Sequence, residues 1–402
     1  MSTPKQTQPA TDRTVKEPTL GLADLPLRPE LQGAEPYGAP QLDVAIRLNV
    51  NENPYPAPAA MSAELGEAAA AEAAHLNRYP DREARALRAD LANYLNRTNP
   101  GIVPLNADNI WVANGSNEVM THLLQAFGGP GRSLLLFPPT YSMYPEYARN
   151  THTGVVTAPR AADFSIDLEA ARQAIAAEQP AVVMIASPNN PTGTATDPEV
   201  LAALVEAAPG MVIVDEAYAE FAREGTPSAL ELLADHPRLV VTRTMSKAFG
   251  FAGGRLGYLA ASPAVVDACR IVRLPYHLSA LSQLAARVAL RHTDALLEKV
   301  DALRSERDRL TDWLRGRGYE VAESDANFVY FGTFDDRHAV FSGLLERGVL
   351  IRETGPDRWL RVSAGTAEEM AGFRQAMDSV ARDLGLPQAV AADQTNAQEA
   401  SR

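Results

Sequence analysis

The sequence predicts an α/β fold in which a large domain, built on a mostly parallel sheet covered by helices, is followed by a smaller α+β domain. Three observations predict it. First, the short apolar runs IWVA (110–113), SLLLF (133–137), GVVTA (154–158), AVVMIA (181–186), MVIVD (211–215) and LVVT (239–242) alternate with helical patterns such as EVMTHLLQAF, DLEAARQAIAA and PEVLAALVEAA. Runs of this length and apolarity describe strands buried on both faces, and their alternation with helices describes parallel crossovers. Second, 402 residues exceed one small core and fit two sizeable lobes plus tails. Third, the pattern changes after residue 285, where one long helical stretch precedes three further strand-like runs.

Taken in order, residues 1–18 are polar and rich in Pro, Thr and Lys, and 387–402 carry no sustained apolar period. Neither end can offset its ordering entropy, so tails are expected at 1–26 and 387–402. The segment 27–74 reads as an N-terminal arm that joins the small domain, because LNVNENPYPAP has too many Asn and Pro residues for a regular element. A helix is expected from Glu83 to Asn96, opened by Pro80-Asp81. The alternating block places the large domain at 75–285. Residues 279–318 keep a helical period for longer than an ordinary globular helix, with Gly318 as the stop, as suits a connector between lobes. The small domain, 286–386, then has strands at NFVYF, VLIRE and WLRVSAG and helices at 336–347 and 366–384.

Composition narrows the function classes. With 46% hydrophobic and 22% charged residues the chain is an ordinary globular protein, neither disordered nor collagenous. A net charge of −13 and a pI near 5.1, with scattered cations, leave no electrostatic footprint for nucleic acid or an anionic membrane. The one cysteine, Cys269, cannot form an intramolecular disulfide, and no apolar run reaches the roughly 20 residues of a membrane span. The N-terminus lacks the apolar stretch of a secretory signal, so the cytoplasm is expected. The seven histidines form no HxH or HExxH spacing, and no metal site is expected.

The chemistry-bearing residues follow the strands, where open α/β sheets bind ligands. After IWVA comes Asn114-Gly115-Ser116-Asn117-Glu118, a glycine turn feeding a helix whose N–H groups favour an anion such as phosphate. Tyr141 follows SLLLF and could stack on a flat ligand. In Ser187-Pro188-Asn189-Asn190-Pro191 the prolines fix a loop from which Asn190 projects a donor and an acceptor. Asp215 ends a buried strand, which requires a cationic partner, and Tyr218 lies three residues on. Lys247 sits among small residues, after Thr244 and Ser246 and eight residues before Arg255. Singly, each has an ordinary reading: an N-cap, a tyrosine packed under a turn, a rigid structural loop, a helix-capping acid, a surface lysine. The order and spacing of the whole set carry the weight.

These residues resemble the fold-type I enzymes that use pyridoxal 5′-phosphate, specifically the class I/II aminotransferases. SPNNPTG, DEAY and TMSKAFG…GGRLG point within them to the histidinol-phosphate aminotransferase branch. The resemblance runs from Leu27 to Leu386 and includes PYGAP, LNVNENPYP, NRYPD, NGSNE, PTYSMY, RLPYHLSALSQ, ANFVYF and LRVSAGT. It implies that Lys247 carries the cofactor through its amine, that Asp215 pairs with the pyridine nitrogen, and that Tyr218 and Asn190 reach the ring 3-oxygen. Tyr141 would stack on the ring, while Ser116, Asn117, Thr244, Ser246 and Arg255 would hold the phosphate.

For the substrate, Arg361 in LRVSAGT matches the family's carboxylate clamp, in a strand whose alternation sends it towards the cleft. Arg352, nine residues upstream in an adjacent strand, would be a second cation for a phosphate ester, since guanidinium forks bind either oxyanion. Each arginine alone could equally be a surface ion-pair residue. By resemblance Tyr37 and Asn49 lie on an arm that closes over substrate, and Asn327 faces the cofactor. Tyr79 would reach the neighbouring subunit's cofactor phosphate and Tyr276 would cross the interface, so a homodimer is expected.

The implied reaction exchanges an amino group between histidinol phosphate and 2-oxoglutarate, giving imidazole-acetol phosphate and glutamate in histidine biosynthesis. An aromatic amino-acid aminotransferase on the same scaffold remains the alternative. A dinucleotide fingerprint is rejected, because Gly253-Gly254-Arg255-Leu256-Gly257 lacks the G-x-G-x-x-G order. A non-catalytic effector module is disfavoured by the lack of an added helix-turn-helix or basic segment.

Overall fold

The computed structural model describes residues 20–387, so most of the expected tails at 1–26 and 387–402 lies outside the described residues. The chain divides into two units, Met1–Gly38 and Ala39–Arg402. The described part of the first holds two short 3₁₀ turns, Leu22–Asp24 and Pro29–Leu31, the former within the expected N-terminal tail.

In the second unit β1 (Ile46–Arg47), α1 (Ala59–Ala73) and α2 (Arg85–Thr98) precede the alternating block. That block runs β2 (Ile110–Ala113), α3 (Ser116–Phe127), β3 (Ser133–Leu136), α4 (Tyr144–Asn150), β4 (Gly154–Thr157) and α5 (Leu168–Glu178). It continues through β5 (Val182–Ala186), α6 (Pro198–Ala207), β6 (Met211–Asp215), β7 (Leu239–Thr244), β8 (Gly257–Ala261) and α7 (Pro263–Val272). Then come α8 (Ala280–Arg291), α9 (Thr293–Gly316), β9 (Glu320–Val321), β10 (Phe328–Gly332) and α10 (Arg337–Glu346). The last elements are β11 (Val349–Leu350), β12 (Arg352–Glu353), β13 (Leu360–Ser363) and α11 (Ala367–Leu384).

The large sheet has the order β2-β8-β7-β6-β5-β3-β4, parallel except for β8, which is antiparallel to both its neighbours. Since β8 reverses twice, β2 runs with β3, β5, β6 and β7, and all five carboxyl ends reach one edge. Alternate residues bury opposite faces: Val183, Ile185, Val212 and Val214 join one core, Val182, Met184, Met211 and Ile213 the other. A second, antiparallel sheet has the order β12-β13-β10-β9. Its apolar face, with Val329, Phe331, Leu360 and Val362, packs with Phe373 and Met377 of α11.

Several expectations are corrected. The 279–318 stretch is two helices: α8 ends at Arg291, His292 leaves helical geometry at φ −102°, ψ 19°, and α9 begins at Thr293. There the Thr293 hydroxyl donates to Leu290 O and His292 Nε2 lies 2.7 Å from Glu64 of α1, bonds that replace helical continuity. The α2 helix starts two residues late, because the Asp81 carboxylate accepts from the N–H groups of Glu83 and Arg85 while Ala84 turns left-handed at φ 47°. GVVTA is not buried on both faces: β4 is an edge strand with Val155 44% exposed. The antiparallel β8, the short β9 and helices α1, α4 and α7 were not anticipated.

Candidate active site

The strand exits β2, β3, β5, β6 and β7 bring the singled-out residues to one edge of the large sheet. Asp215, last in β6, is buried; its carboxylate accepts from the Tyr144 hydroxyl at 2.8 Å and from Thr242 of β7 at 3.1 Å. Burial pushes its pKa up against these donors, and neighbouring Glu216 adds to the rise. A cation beside it would reverse the balance.

Lys247, in the turn after β7, donates from Nζ to Val50 O at 2.8 Å and stands 5.9 Å from the centre of the Tyr218 ring. Burial lowers its pKa to about 8, with the positive charges of Arg361 and Arg255 adding to the fall and Glu52 opposing it. A far larger share of the amine is therefore neutral near physiological pH than for an ordinary lysine, as a nucleophile and proton carrier needs.

The Tyr218 hydroxyl accepts from Asn51 Nδ2 at 3.0 Å. Asn51 is itself held left-handed at φ 56°, bonded through its N–H and Oδ1 to Ser363 Oγ and through its carbonyl to Asn327 Nδ2. Asn327 Oδ1 is buried with no hydrogen-bond partner, so one acceptor stands ready beside this network. The two loop asparagines divide their work. Asn189, fully buried, ties the loop to Pro139, Thr140 and Thr192, whereas Asn190 Oδ1 accepts from Arg361. Tyr141 lies edge-on to Tyr144, with 5.5 Å between ring centres.

The turn expected to hold the phosphate is closely packed. Gly115, at φ 80°, caps α3, and a Cβ there would lie 2.6 Å from Arg255 Nη2; a Cβ on Gly257 would lie 2.1 Å from the N–H nitrogen of Ser116. Only glycine lets the guanidinium and a second strand approach the first turn of the helix this closely. The Arg255 backbone is left-handed at φ 52°, Ser246 N donates to Thr244 Oγ1, and Asn117 Oδ1 accepts from Tyr147. These helix N–H groups, hydroxyls and guanidinium suit a dianionic phosphate. With a lysine of lowered pKa and an acid awaiting a cation, the residues fit a phosphorylated pyridine aldehyde.

The small sheet carries the two arginines expected to bind an anion. Arg352 of β12 is directly opposite Arg361 of β13, which is opposite Tyr330 of β10. Like charges facing each other across a ladder cost energy unless an anion joins them. Arg361 is buried and donates to Asn49 O at 2.7 Å. Asn49 thus takes part through its carbonyl, while its side-chain amide donates to Pro40 O at 2.8 Å.

Two expected residues stand apart from this group: Tyr79 and Tyr276, 79% and 40% exposed, stack on each other with ring centres 4.4 Å apart. Tyr37 belongs to the first unit. Asn51, Tyr144, Thr242 and Ser363 escaped sequence reasoning. Thr242 and Ser363 sit in expected strands beside predicted residues, a signal that could have found them; nothing distinguishes Tyr144 from Tyr141 or Tyr147 in PTYSMYPEY.

The family model "aminotransferase class I and II" matches residues 43–377. A histidinol-phosphate aminotransferase of Thermobifida fusca is 59% identical over 358 residues, 89% of this chain and 96% of that protein. Another, of Streptomyces avermitilis, is 57% identical over 369 residues, 91% of this chain and 99% of that one. Among solved structures, the histidinol-phosphate aminotransferase of Sinorhizobium meliloti in complex with pyridoxal-5′-phosphate is similar at TM-score 0.78 and 26% identity, over 89% of this chain and 98% of that one. Aspartate aminotransferase of Thermus thermophilus with maleate is similar at TM-score 0.72 and 26% identity, over 84% and 91%. The chain belongs to the class I and II aminotransferases.

Proposed function

We propose that the chain is a cytoplasmic, homodimeric, pyridoxal-phosphate-dependent transaminase that converts histidinol phosphate and 2-oxoglutarate to imidazole-acetol phosphate and glutamate, reversibly, in L-histidine biosynthesis. The observation that carries this reading is a lysine of lowered pKa, Lys247, set between a phosphate cradle and a pair of facing arginines. The names of the relatives at 57–59% identity support the substrate.

The cofactor, when bound, supplies an electron sink for negative charge at the substrate's amine-bearing carbon. Asp215 keeps that sink effective by favouring a protonated pyridine nitrogen, and Tyr144 and Thr242 hold its carboxylate in place. Tyr218 and Asn190 serve the ring oxygen, and Tyr141 covers the ring. Ser116, Asn117, Thr244, Ser246 and Arg255 hold the phosphate, joined by Tyr79 from the second subunit. Lys247 Nζ would take the proton from the substrate's amine-bearing carbon and give it up away from that carbon, for which its lowered pKa supplies neutral amine. Arg361 binds the carboxylate of glutamate or the phosphate ester of histidinol phosphate, and Arg352 adds its charge for the phosphate. Asn327 faces the cofactor, and Tyr37 and Asn49 belong to the arm that closes the site. Tyr276 crosses the subunit interface. The large lobe is 75–285 and the small lobe 286–386 with part of 27–74.

A substrate panel on purified, cofactor-loaded protein tests the reading. Histidinol phosphate is expected to exceed phenylalanine in kcat/KM. A tenfold preference for phenylalanine, about 1.4 kcal/mol, would overturn it in favour of an aromatic aminotransferase.

A further inference from the structure

Tyr276 adopts φ 60°, a left-handed conformation rarely seen for a bulky side chain, so its surroundings must hold it there. Those surroundings lead back to the phosphate turn. The carbonyl of the next residue, His277, accepts from Asn114 Nδ2 at 2.8 Å, and the His277 ring donates from Nε2 to Val112 O at 2.9 Å. That ring lies flat on Trp111, 5.4 Å between centres, and edge-on to His122, which accepts from Trp111 Nε1 at 3.1 Å. Asn114 is in turn locked to the first turn of α3, its N–H and its side-chain amide both donating to Glu118 Oε2, at 2.6 and 2.8 Å. Hydrogen bonds thus run from the helix start that carries Ser116 and Asn117 to the carbonyl of His277, which follows directly on the strained residue whose ring, stacked on Tyr79, is exposed.

We propose that Asn114 and Glu118 are positioning residues that lock the Tyr276 loop to the cofactor-phosphate turn, so that phosphate binding and the pairing of two copies stabilise each other. The inference rests on the reading of the chain as a cofactor-dependent homodimer. An anion ordering the Gly115 turn orders Asn114 with it, and Asn114 holds the His277 carbonyl that keeps Tyr276 in its left-handed state. Tyr276 and Tyr79 then present their stacked rings to the second copy already organised. Linkage makes the effect mutual: the factor by which cofactor tightens the dimer is the factor by which dimerisation tightens the cofactor.

The test is sedimentation of the full chain over a concentration series, with and without saturating pyridoxal phosphate, for wild type and Asn114→Ala, alongside titration of cofactor affinity. Cofactor is expected to lower the wild-type dimer dissociation constant at least tenfold. In N114A that factor should fall to threefold or less, although the absorbance band of bound cofactor still appears at saturation. A merely structural role would weaken the dimer equally with and without cofactor. An N114A dimer that keeps the wild-type factor overturns the inference, as does a wild-type dimer indifferent to cofactor. A wild-type chain that binds cofactor yet sediments as a monomer throughout would instead sink the homodimer reading, and this inference with it. If N114A lacks a cooperative thermal transition, Glu118→Gln replaces it; partial loss of the factor supports the coupling, and full retention overturns it.

Discussion

The Lys247 amine owes its reactivity first to burial and then to the repulsion of Arg361 and Arg255, which together bring its pKa to about 8. Its neutral fraction therefore grows as pH rises, reaches about half near 8, and levels off about one pH unit higher. The rate at which cofactor-free chain captures pyridoxal phosphate should climb about tenfold per pH unit well below that point and level off above it, followed as the growth of the bound-cofactor band. Arg361→Gln removes a lowering charge, so the midpoint should move to higher pH; an unmoved midpoint would show that Arg361 has no part in setting it. Lys247→Ala should abolish turnover, checked by amino transfer at saturating cofactor. At the clamp, Arg361→Ala should cost both substrates roughly 10–100-fold in kcat/KM, the worth of a charged hydrogen bond of about 1.5–3 kcal/mol. Arg352→Ala should harm histidinol phosphate more than glutamate, and equal losses would contradict that division. At this scale the sequence disclosed which polar groups gather at one edge of the large sheet, because each follows an apolar strand. It could not disclose Asn51, whose bond to Tyr218 joins positions 167 residues apart.

Among elements, the junction of β8 with α3 is the most exacting. Gly257→Ala would drive its Cβ to within 2.1 Å of Ser116 N, which is backbone and cannot rotate away. The substitution should weaken cofactor binding at least tenfold and lower the thermal midpoint, measured by titration and by calorimetry. Expectations from pattern succeeded for β5, β6, α5, α10 and α11, where a clear period matches the element. They failed where partners decide. The β8 run GYLAA has the same composition as a helix segment, and only its place between β2 and β7 makes it a strand. Residues 279–318 keep one period, yet the helix breaks at His292, where Glu64 bonds the His292 ring and Leu290 O accepts from the Thr293 hydroxyl. Alanine-rich α1 buries only Met61 among its fully buried positions, too weak a stripe to read.

Across the whole molecule, one buried ion cluster braces the centre of the large sheet. Arg243 lies 2.7 Å from Glu216 and 3.5 Å from Glu220, all three side chains at least 94% buried. Replacing Arg243 with Met would strand two carboxylates in the interior, and a loss of about 3–5 kcal/mol is expected from urea unfolding. The proposed pairing of two copies belongs to this scale too. Tyr79→Ala should shift the sedimenting species towards monomer and reduce cofactor affinity together, because the ring is expected to serve the partner's phosphate site. A variant that remains dimeric with unchanged affinity would remove Tyr79 from the interface.

The sequence by itself determined the alternation of strands and helices, the burial of strands β2, β3, β5, β6 and β7, and which side chains stand at their carboxyl ends. All of these depend on short-range periodicity and on the chemistry of single residues. Tertiary structure alone decided that Arg352 faces Arg361, that Asn189 braces the loop while Asn190 meets Arg361, and that Asn114 bonds the His277 carbonyl. Those relations join residues far apart in the chain. They arise from register, loop direction and competition for hydrogen bonds, none of which leaves a periodic trace in the sequence.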